Sequence, residues 1–423
     1  MSDANFQDLG RFVSYATKQF NLPLLGGCLA DRRVAPEIPS RAVGLSLLLG
    51  EVVHCPSLLQ LEQETGQPQW QRLVGYPHPI SDDTFAYASD RMDPDQLRRG
   101  CVYINRMLKR GKSLERNKVQ GLLVVSIDAN EQFCTDHRCC DDCLNREVVC
   151  KDAKGGEFKK VQYYHKQVYA QLSGTHISVI LDFEPLRQGE EECGAALRML
   201  RRIRRMYGAR FFDVVVVDSW YSNGPFLKTV VEELGWPVVA VLKQERFEVY
   251  QETMALGRDQ KAGVVERDGR QVEIWDVRAL RFSDSYPGPV RTVRTVEKWT
   301  EHTRKGNEWQ EVEKEQNWIW VVAGDLDAFG GEVIRDIGHL RWRIENNAFG
   351  ELTQHWNLTH CAHHQPVAVV ALLWIKIMAF TLFHAFAILH GKHVRAGRAT
   401  LQELRERILR SLLCGPPVLC FSG

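Results

Sequence analysis

Two aspartates, each directly after a short apolar run, are the residues of this sequence best placed to do chemistry. Asp128 follows the run 122–127 and Asp218 follows the run 211–217, and both runs are rich in β-branched residues. Such runs predict buried strands. Each aspartate alone suits an ordinary turn, but open α/β sheets place their active sites at the carboxyl ends of strands. Together the two residues therefore predict a site.

Carboxylates are the ligands that Mg²⁺ and Mn²⁺ prefer. Two such ions, held by shared carboxylates, activate a water and offset charge on a transferring phosphoryl group. A third carboxylate is Glu345, on a segment where Leu340, Ile344 and Ala348 recur every four residues. That spacing predicts a helix with one buried face. The three residues could thus cleave phosphodiester bonds.

The elements that must position these carboxylates follow a mixed α/β pattern. Three predicted strands are followed by helix, strand, helix and strand, at residues 122–127, 166–172, 177–183, 191–207, 211–217, 225–234 and 237–242. The helix between the third and fourth strands provides a crossover, as in a mixed sheet flanked by helices.

Composition shifts divide the chain into four predicted regions. The first contains short helices joined by tight breaks, with Ser81 as a helix N-cap before Thr84. This pattern is typical of helix-turn-helix modules and of small helical bundles alike. The regions are an N-terminal helical domain (1–118), an α/β core (119–245 and 325–392), a β-rich insertion (246–324) and a helical tail (393–423).

The net charge of +1 over 423 residues hides basic clusters at 106–118, 198–210 and 335–343. These clusters could form phosphate-binding faces or merely solvated helix surfaces.

The N-terminus has no signal-peptide pattern, so we expect a cytoplasmic protein with reduced cysteines. The apolar run 367–389 is interrupted by a lysine and a histidine. We interpret it as a buried core helix and expect no membrane partner.

The order of elements is similar to the ribonuclease-H-like core, and the Glu345 segment resembles the signature of DDE transposases from bacterial insertion sequences. There an arginine precedes the catalytic glutamate by four positions and an aromatic follows by four, as Arg341 and Phe349 do here. That family also carries a β-rich insertion between its second aspartate and the glutamate. The resemblance covers about residues 120–390, and it implies that the helical residues 1–118 are a DNA-end-binding domain.

The resemblance implies an enzyme that binds the terminal repeats of its mobile element as a homodimer on double-stranded DNA, within the bacterial nucleoid. Asp128, Asp218 and Glu345 would hold two Mg²⁺ or Mn²⁺ ions. Arg341 would orient the glutamate or contact a phosphate. Trp220, two residues after the second aspartate, could stack on an extruded base or be a core residue.

Two positions depart from the family signature. Gly338 stands where the family has a tyrosine, and Leu352 stands where it has a lysine. In the family these side chains contact DNA phosphates. Arg343 and His355 lie nearby in the sequence and could take over those contacts.

A cysteine cluster follows the first aspartate. Cys140 and Cys143 have the spacing of a metal knuckle, and Cys134, Cys139 and His137 are near enough to complete four zinc ligands. His165 is a further candidate ligand, and Cys150 also lies nearby. The alternative is a hairpin with incidental thiols.

Three hypotheses follow from the sequence. The first is an active transposase that cuts and joins strands. The second is a nuclease of the same fold that cuts without joining. The third is a catalytically silent relic that only binds DNA. The N-terminal helices and the insertion favour the first hypothesis over a small nuclease.

Overall fold

The computed structural model describes residues 8–152, 155–174, 176–305, 308–389 and 400–414. The helices in these residues are α1 (Asp8–Phe20), α2 (Leu22–Cys28), α3 (Ser40–Val53), α4 (Leu58–Thr65), α5 (Pro68–Val74), α6 (Asp82–Ser89), α7 (Pro94–Arg110), α8 (Glu192–Tyr207), α9 (Gly224–Lys228), α10 (Glu248–Asp259), α11 (Gly331–His339), α12 (Gly350–His355), α13 (Pro366–Leu389) and α14 (Leu401–Cys414). The strands are β1 (Val124–Thr135), β2 (Leu144–Lys151), β3 (Glu157–Ser173), β4 (Val179–Pro185), β5 (Val214–Val217), β6 (Val238–Val241), β7 (Gly263–Arg267), β8 (Arg270–Ser283), β9 (Tyr286–Lys305) and β10 (Glu308–Ala323).

The central sheet has the predicted ribonuclease-H-like order. β1 pairs antiparallel with β3 and parallel with β5, while β5 pairs parallel with β6 and β4 pairs with β3. The resulting order β4-β3-β1-β5-β6 is a mixed sheet whose parallel strands need the crossover helices α8 and α9. The predicted fold class is confirmed. The sequence pattern missed β2, which pairs with the outer half of β3.

The inserted strands continue this sheet. β10 pairs antiparallel with β6, and β9, β8 and β7 follow in order. The alternating sequence pattern of the insertion indicates separate strands at 309–312 and 318–322, but the structure has one strand there, β10. The residues between them are mostly exposed. Because the outer part of the β9–β10 hairpin leaves its side chains in solvent, a polar stretch there does not end the strand.

The N-terminal helices pack around α13. Their apolar side chains and those of α13 and β4 belong to one continuous core. Ser81 caps α6 as predicted, accepting the Thr84 amide at 3.3 Å. Within the predicted tail, residues 400–414 are described and form α14, which packs on α1 and α3. The rest of that tail lies outside the described residues, and the four region boundaries remain predictions.

α13 is long and apolar enough to cross a membrane by composition, yet 78% of its most apolar window is buried within the protein. The lysine and the histidine that interrupt its apolar sequence each lie beside a carboxylate. Lys376 lies 2.8 Å from a Glu51 carboxylate oxygen, and His384 lies 2.6 Å from a Glu351 carboxylate oxygen. A buried cation is tolerated when it is paired in this way.

Candidate active site

Asp128 lies where β1 and β5 separate. The parallel pairing between these strands ends at Ser126 and Val216, two residues before each aspartate. The sequence predicted that the first strand stops at Asp128, but β1 continues to Thr135 because β3 pairs with it further out. Asp218 directly follows β5, as predicted. The two aspartates therefore sit at the same edge of neighbouring strands.

Glu345 enters the site on an irregular helix. α11 ends at His339, the chain turns at Leu340, and a π-helical segment runs from Ile344 to Phe349. Leu340, Ile344 and Ala348 are buried, as their spacing predicted. The π-helix was not predicted. Such segments are rare and concentrate at functional sites.

Arg341 connects two of the three carboxylates. Its Nη1 lies 2.5 Å from Glu345 Oε1 and 3.6 Å from Asp128 Oδ2. The arginine side chain is only 9% exposed, and its guanidinium stacks over the Trp342 ring at 4.5 Å. A guanidinium held in this way fixes the glutamate rotamer.

Burial is the largest influence on Asp128 and raises its pKa. The Ala129 amide, which donates to the carboxylate at 2.8 Å, opposes this effect, and the neighbouring Glu345 carboxylate reinforces it. The pKa of Asp128 is raised to about 7. Two crowded carboxylates in a partly buried cleft are a suitable set of hard oxygen ligands for Mg²⁺ or Mn²⁺. The residues present thus fit such an ion.

Asp218 turns toward its own loop. Its Oδ1 accepts the Trp220 amide at 2.9 Å. In the described part of the chain, the three carboxylates do not form a group with all donor atoms within 4.8 Å of one another. Metal binding would therefore draw Asp218 away from the Trp220 amide and toward the other two.

Tyr221 and Glu192 also belong to the site, and sequence reasoning missed both. The Tyr221 hydroxyl donates to Glu192 Oε2 at 3.2 Å. Burial raises the pKa of Tyr221 most, and the charges of Glu192, Asp128 and Asp218 raise it further. The only signal for Tyr221 was its place three residues after Asp218. Glu192 gave none, because only the fold brings α8 here.

Trp220 and Arg343 remain accessible. Trp220 is 61% exposed, which rules out the core role that the sequence left open. Arg343 lines an open groove of about 380 Å³ together with Trp318, Trp342 and His339. The groove borders the Glu345 segment. Aromatic faces beside a guanidinium are typical of surfaces that stack bases and contact phosphates.

The two departures from the family signature have packing causes. A Cβ on Gly338 would come within 2.2 Å of the Trp320 indole nitrogen, so no tyrosine fits there. Leu352 is completely buried in the core, where a lysine would lack solvent. His355, named above as a substitute, is exposed at the end of α12.

Much of the charge in the basic clusters is neutralised within the chain. Arg201 forms two hydrogen bonds with Glu233, and Arg202 pairs with Asp182 at 2.8 Å. Arg335 is buried and pairs with Glu297 at 2.9 Å. These members of the clusters at 198–210 and 335–343 therefore have structural partners.

The predicted cysteine cluster is partly assembled. Cys140, Cys143 and His165 place their ligand atoms within 4.8 Å of one another, while Cys134 is exposed and lies 3.9 Å from an Arg146 nitrogen. Cys139 is oriented toward the His137 carbonyl. Among the described residues, Cys134 and Cys139 are not part of this group of three.

Residues 146–382 match the family of transposase DDE domains, and because this is more than half of the chain, the protein belongs to that family. The resemblance noted in the sequence is thereby confirmed. The match includes Asp218 and Glu345 and begins after Asp128. No curated protein sequence matches the chain.

A solved synaptic complex of the piggyBac transposase with hairpin DNA is similar at 12% identity, covering 97% of this chain and 80% of that one. The TM-score is 0.40, a likeness too weak to support conclusions about this chain.

Proposed function

We propose that this chain is an active DNA transposase that hydrolyses a strand at each end of its mobile element and joins the freed 3′-hydroxyl to target DNA. The observation that carries the proposal is the position of Asp128 and Asp218 just beyond the paired segment of β1 and β5, with Arg341 joining Glu345 to Asp128. Family membership supports the reaction class, and these three carboxylates are the residues that would perform it.

Mg²⁺ or Mn²⁺, held by the three carboxylates, would supply water activation and charge compensation at the phosphoryl group. The chain's own residues prepare the site. Arg341 holds Glu345 against Asp128, and Asp128 must lose its proton before it can act as a ligand. The Tyr221 hydroxyl holds Glu192 through its hydrogen bond. Once released from its hydrogen bond with the Trp220 amide, Asp218 would be the third carboxylate ligand.

DNA would lie across the exposed face beside the triad. Trp220 would stack on a base, and Arg343 would contact a phosphate from the groove that it lines. Two element ends require two active sites, so we propose that a homodimer forms on DNA. Bacterial nucleoid DNA in the cytoplasm would be its substrate.

Strand cleavage tests the proposal. DNA that carries the junctions flanking the gene is incubated with native protein in Mg²⁺ or Mn²⁺, and nicked, cut and joined products are resolved on denaturing gels. Asp218→Asn should abolish all products while it retains the fold. Asp284→Asn is the matched control, because its side chain is 97% exposed in the β8–β9 turn.

The outcomes separate the alternatives. Cleavage and joining that Asp218→Asn removes support the transposase. Cleavage without joining supports a nuclease of the same fold. DNA binding without cleavage by the native protein supports the silent relic, and cleavage that survives Asp218→Asn would refute the proposed site.

A further inference from the structure

A second group of potential metal ligands, separate from the triad, lies where two parts of the chain meet. Cys140 and Cys143 lie in the turn between β1 and β2, and His165 lies on β3 opposite Phe133. The loop between α12 and α13 contains Cys361 and comes close to the same place, since the Phe133 ring contacts both His165 and His364 with centroids 4.9 Å apart in each pair.

The distances within the group suit a tetrahedral zinc ion. The Cys140 and Cys143 sulfurs are 3.7 Å apart. Zinc–sulfur bonds of about 2.3 Å in tetrahedral geometry place two sulfurs about 3.8 Å apart. A disulfide would require about 2.05 Å. The Cys140 sulfur also lies 3.2 Å from His165 Nε2.

Backbone hydrogen bonds hold the turn that carries the two sulfurs. The Cys140 amide donates to the Cys143 sulfur at 3.4 Å, and the Cys143 amide donates to the Cys140 carbonyl at 3.3 Å. Amides directed at sulfur stabilise a thiolate.

Cys361 is the candidate fourth ligand, because its loop reaches the group: His364 on that loop contacts the Phe133 ring, which stacks on His165. Among the described residues, the Cys361 sulfur is not within 4.8 Å of all three other ligand atoms. It lies 3.4 Å from the His363 carbonyl instead. Zinc binding would therefore draw this thiol from the carbonyl toward the other three ligands.

We infer that Cys140, Cys143, His165 and Cys361 form a structural zinc site that fastens the α12–α13 loop to the central sheet. Four protein ligands leave no open position, which is the mark of a structural rather than a catalytic zinc. The same loop is tied to the end of α6 by His363, whose Nε2 lies 2.9 Å from Asp90 Oδ1. The site thus fixes the segment that follows the Glu345 helix.

Metal content is the first test. Full-length protein, purified from zinc-supplemented cells without chelator, should contain one zinc per chain by plasma mass spectrometry. Cys361→Ser and Cys143→Ser should weaken zinc binding by at least ~100-fold in competition with a chromophoric chelator. Cys134→Ser and Cys139→Ser are the matched controls and should bind zinc as the native protein does.

Cobalt gives an independent measurement that needs no variant. Co²⁺ added to reduced, zinc-stripped native protein should produce the thiolate charge-transfer and strong visible bands of a tetrahedral site with three sulfurs. A protein that contains no zinc and shows no such bands would overturn the inference. So would a Cys140–Cys143 disulfide, or zinc loss in Cys139→Ser with full retention in Cys361→Ser. Each readout is independent of DNA cleavage, so it stands apart from the proposed function.

Discussion

The Ser126 hydroxyl donates a 3.1 Å hydrogen bond to the Leu340 carbonyl, which links β1 to the turn before Arg341. Ser126 is completely buried and lies two residues before Asp128. The Ser173 hydroxyl lies 2.6 Å away and can donate to Ser126 in turn. Through this contact, the strand that carries the first aspartate sets the position of the segment that carries the glutamate.

Ser126→Ala should therefore disturb catalysis more than stability. Losing the buried hydroxyl, which bonds both the Leu340 carbonyl and Ser173, should lower the free energy of unfolding by about 1–3 kcal/mol. Releasing the turn should slow cleavage roughly tenfold, because small displacements of catalytic groups are costly. Urea unfolding and cleavage rates would measure both effects. Ser89→Ala, which removes a buried hydroxyl bonded to the Phe85 carbonyl in α6, should leave cleavage unchanged. Equal losses in both variants would argue against this coupling.

Arg341→Gln should lower the cleavage rate without weakening DNA binding. The arginine is buried and faces Glu345 and Asp128, so its loss frees the glutamate. A charge-assisted hydrogen bond worth about 1.5–3 kcal/mol corresponds to ~10–100-fold in rate. Arg343→Gln should instead weaken DNA binding. The slope of log binding constant against log salt concentration should become smaller by about one, as expected for the loss of one phosphate contact. A large loss of DNA affinity in Arg341→Gln would show a phosphate contact instead.

Gly338→Ala should destabilise the protein although alanine favours helices. The new Cβ would collide with the Trp320 indole, and relieving such a clash typically costs about 1–3 kcal/mol. Gly10→Ala in α1 is the control, because its Cβ would meet no atom within 4 Å. Thermal unfolding should show a lower midpoint for the first variant and no decrease for the second. Unchanged stability in Gly338→Ala would contradict the packing explanation for the missing tyrosine.

Trp220→Ala should weaken binding of element-end DNA and leave the fold unaffected. Stacking on a base contributes about 1–3 kcal/mol, and an exposed side chain contributes little to the core. Trp309→Ala, on the outer β9–β10 hairpin, removes a tryptophan that is 70% exposed and should change DNA affinity little. Fluorescence anisotropy with labelled DNA would compare the two. Equal affinity of the Trp220 variant and the native protein would exclude the stacking role.

Low pH should weaken the ion pairs by which Glu297, on β9 of the insertion, binds Arg335 and His339 on α11. Burial works to raise the pKa of Glu297, but His339 and Arg335 together lower it from 4.5 to about 2. A lowered pKa means that the stabilisation is complete above pH 4.5 and is lost as the pH falls toward 2. The full contribution is about 3 kcal/mol.

The Glu297 prediction is checked by urea unfolding between pH 5.5 and 3.5. Native protein should lose more stability over this range than Glu297→Gln, by about 1 kcal/mol. Glu273→Gln, which removes a carboxylate in a more exposed pair with Lys298, is the control and should follow the native protein. Parallel curves for native protein and Glu297→Gln would contradict the assigned pKa.

Much of the fold followed from sequence pattern because buried strands and amphipathic helices have distinct periods. The runs before Asp128 and Asp218 and the stripe of Leu340, Ile344 and Ala348 behaved as predicted. β2 and the middle of β10 escaped prediction, because exposed strands lack an apolar face. The π-helix at Ile344–Phe349 was not predicted, because apolar residues that recur every four positions do not distinguish π-helical from α-helical hydrogen bonding.

The sequence by itself determined the α/β class and the order of strands and helices along the chain, and it singled out the three candidate carboxylates, since these depend on local periodicity and on residues next to strand ends. Only the tertiary structure decided which polar residues meet. It paired Arg201, Arg202 and Arg335 with acids and brought Glu192 to the Tyr221 hydroxyl. It also selected Cys140, Cys143 and His165 from a larger set of thiols and imidazoles. Contacts between residues far apart in the chain depend on packing and register, which sequence spacing does not encode.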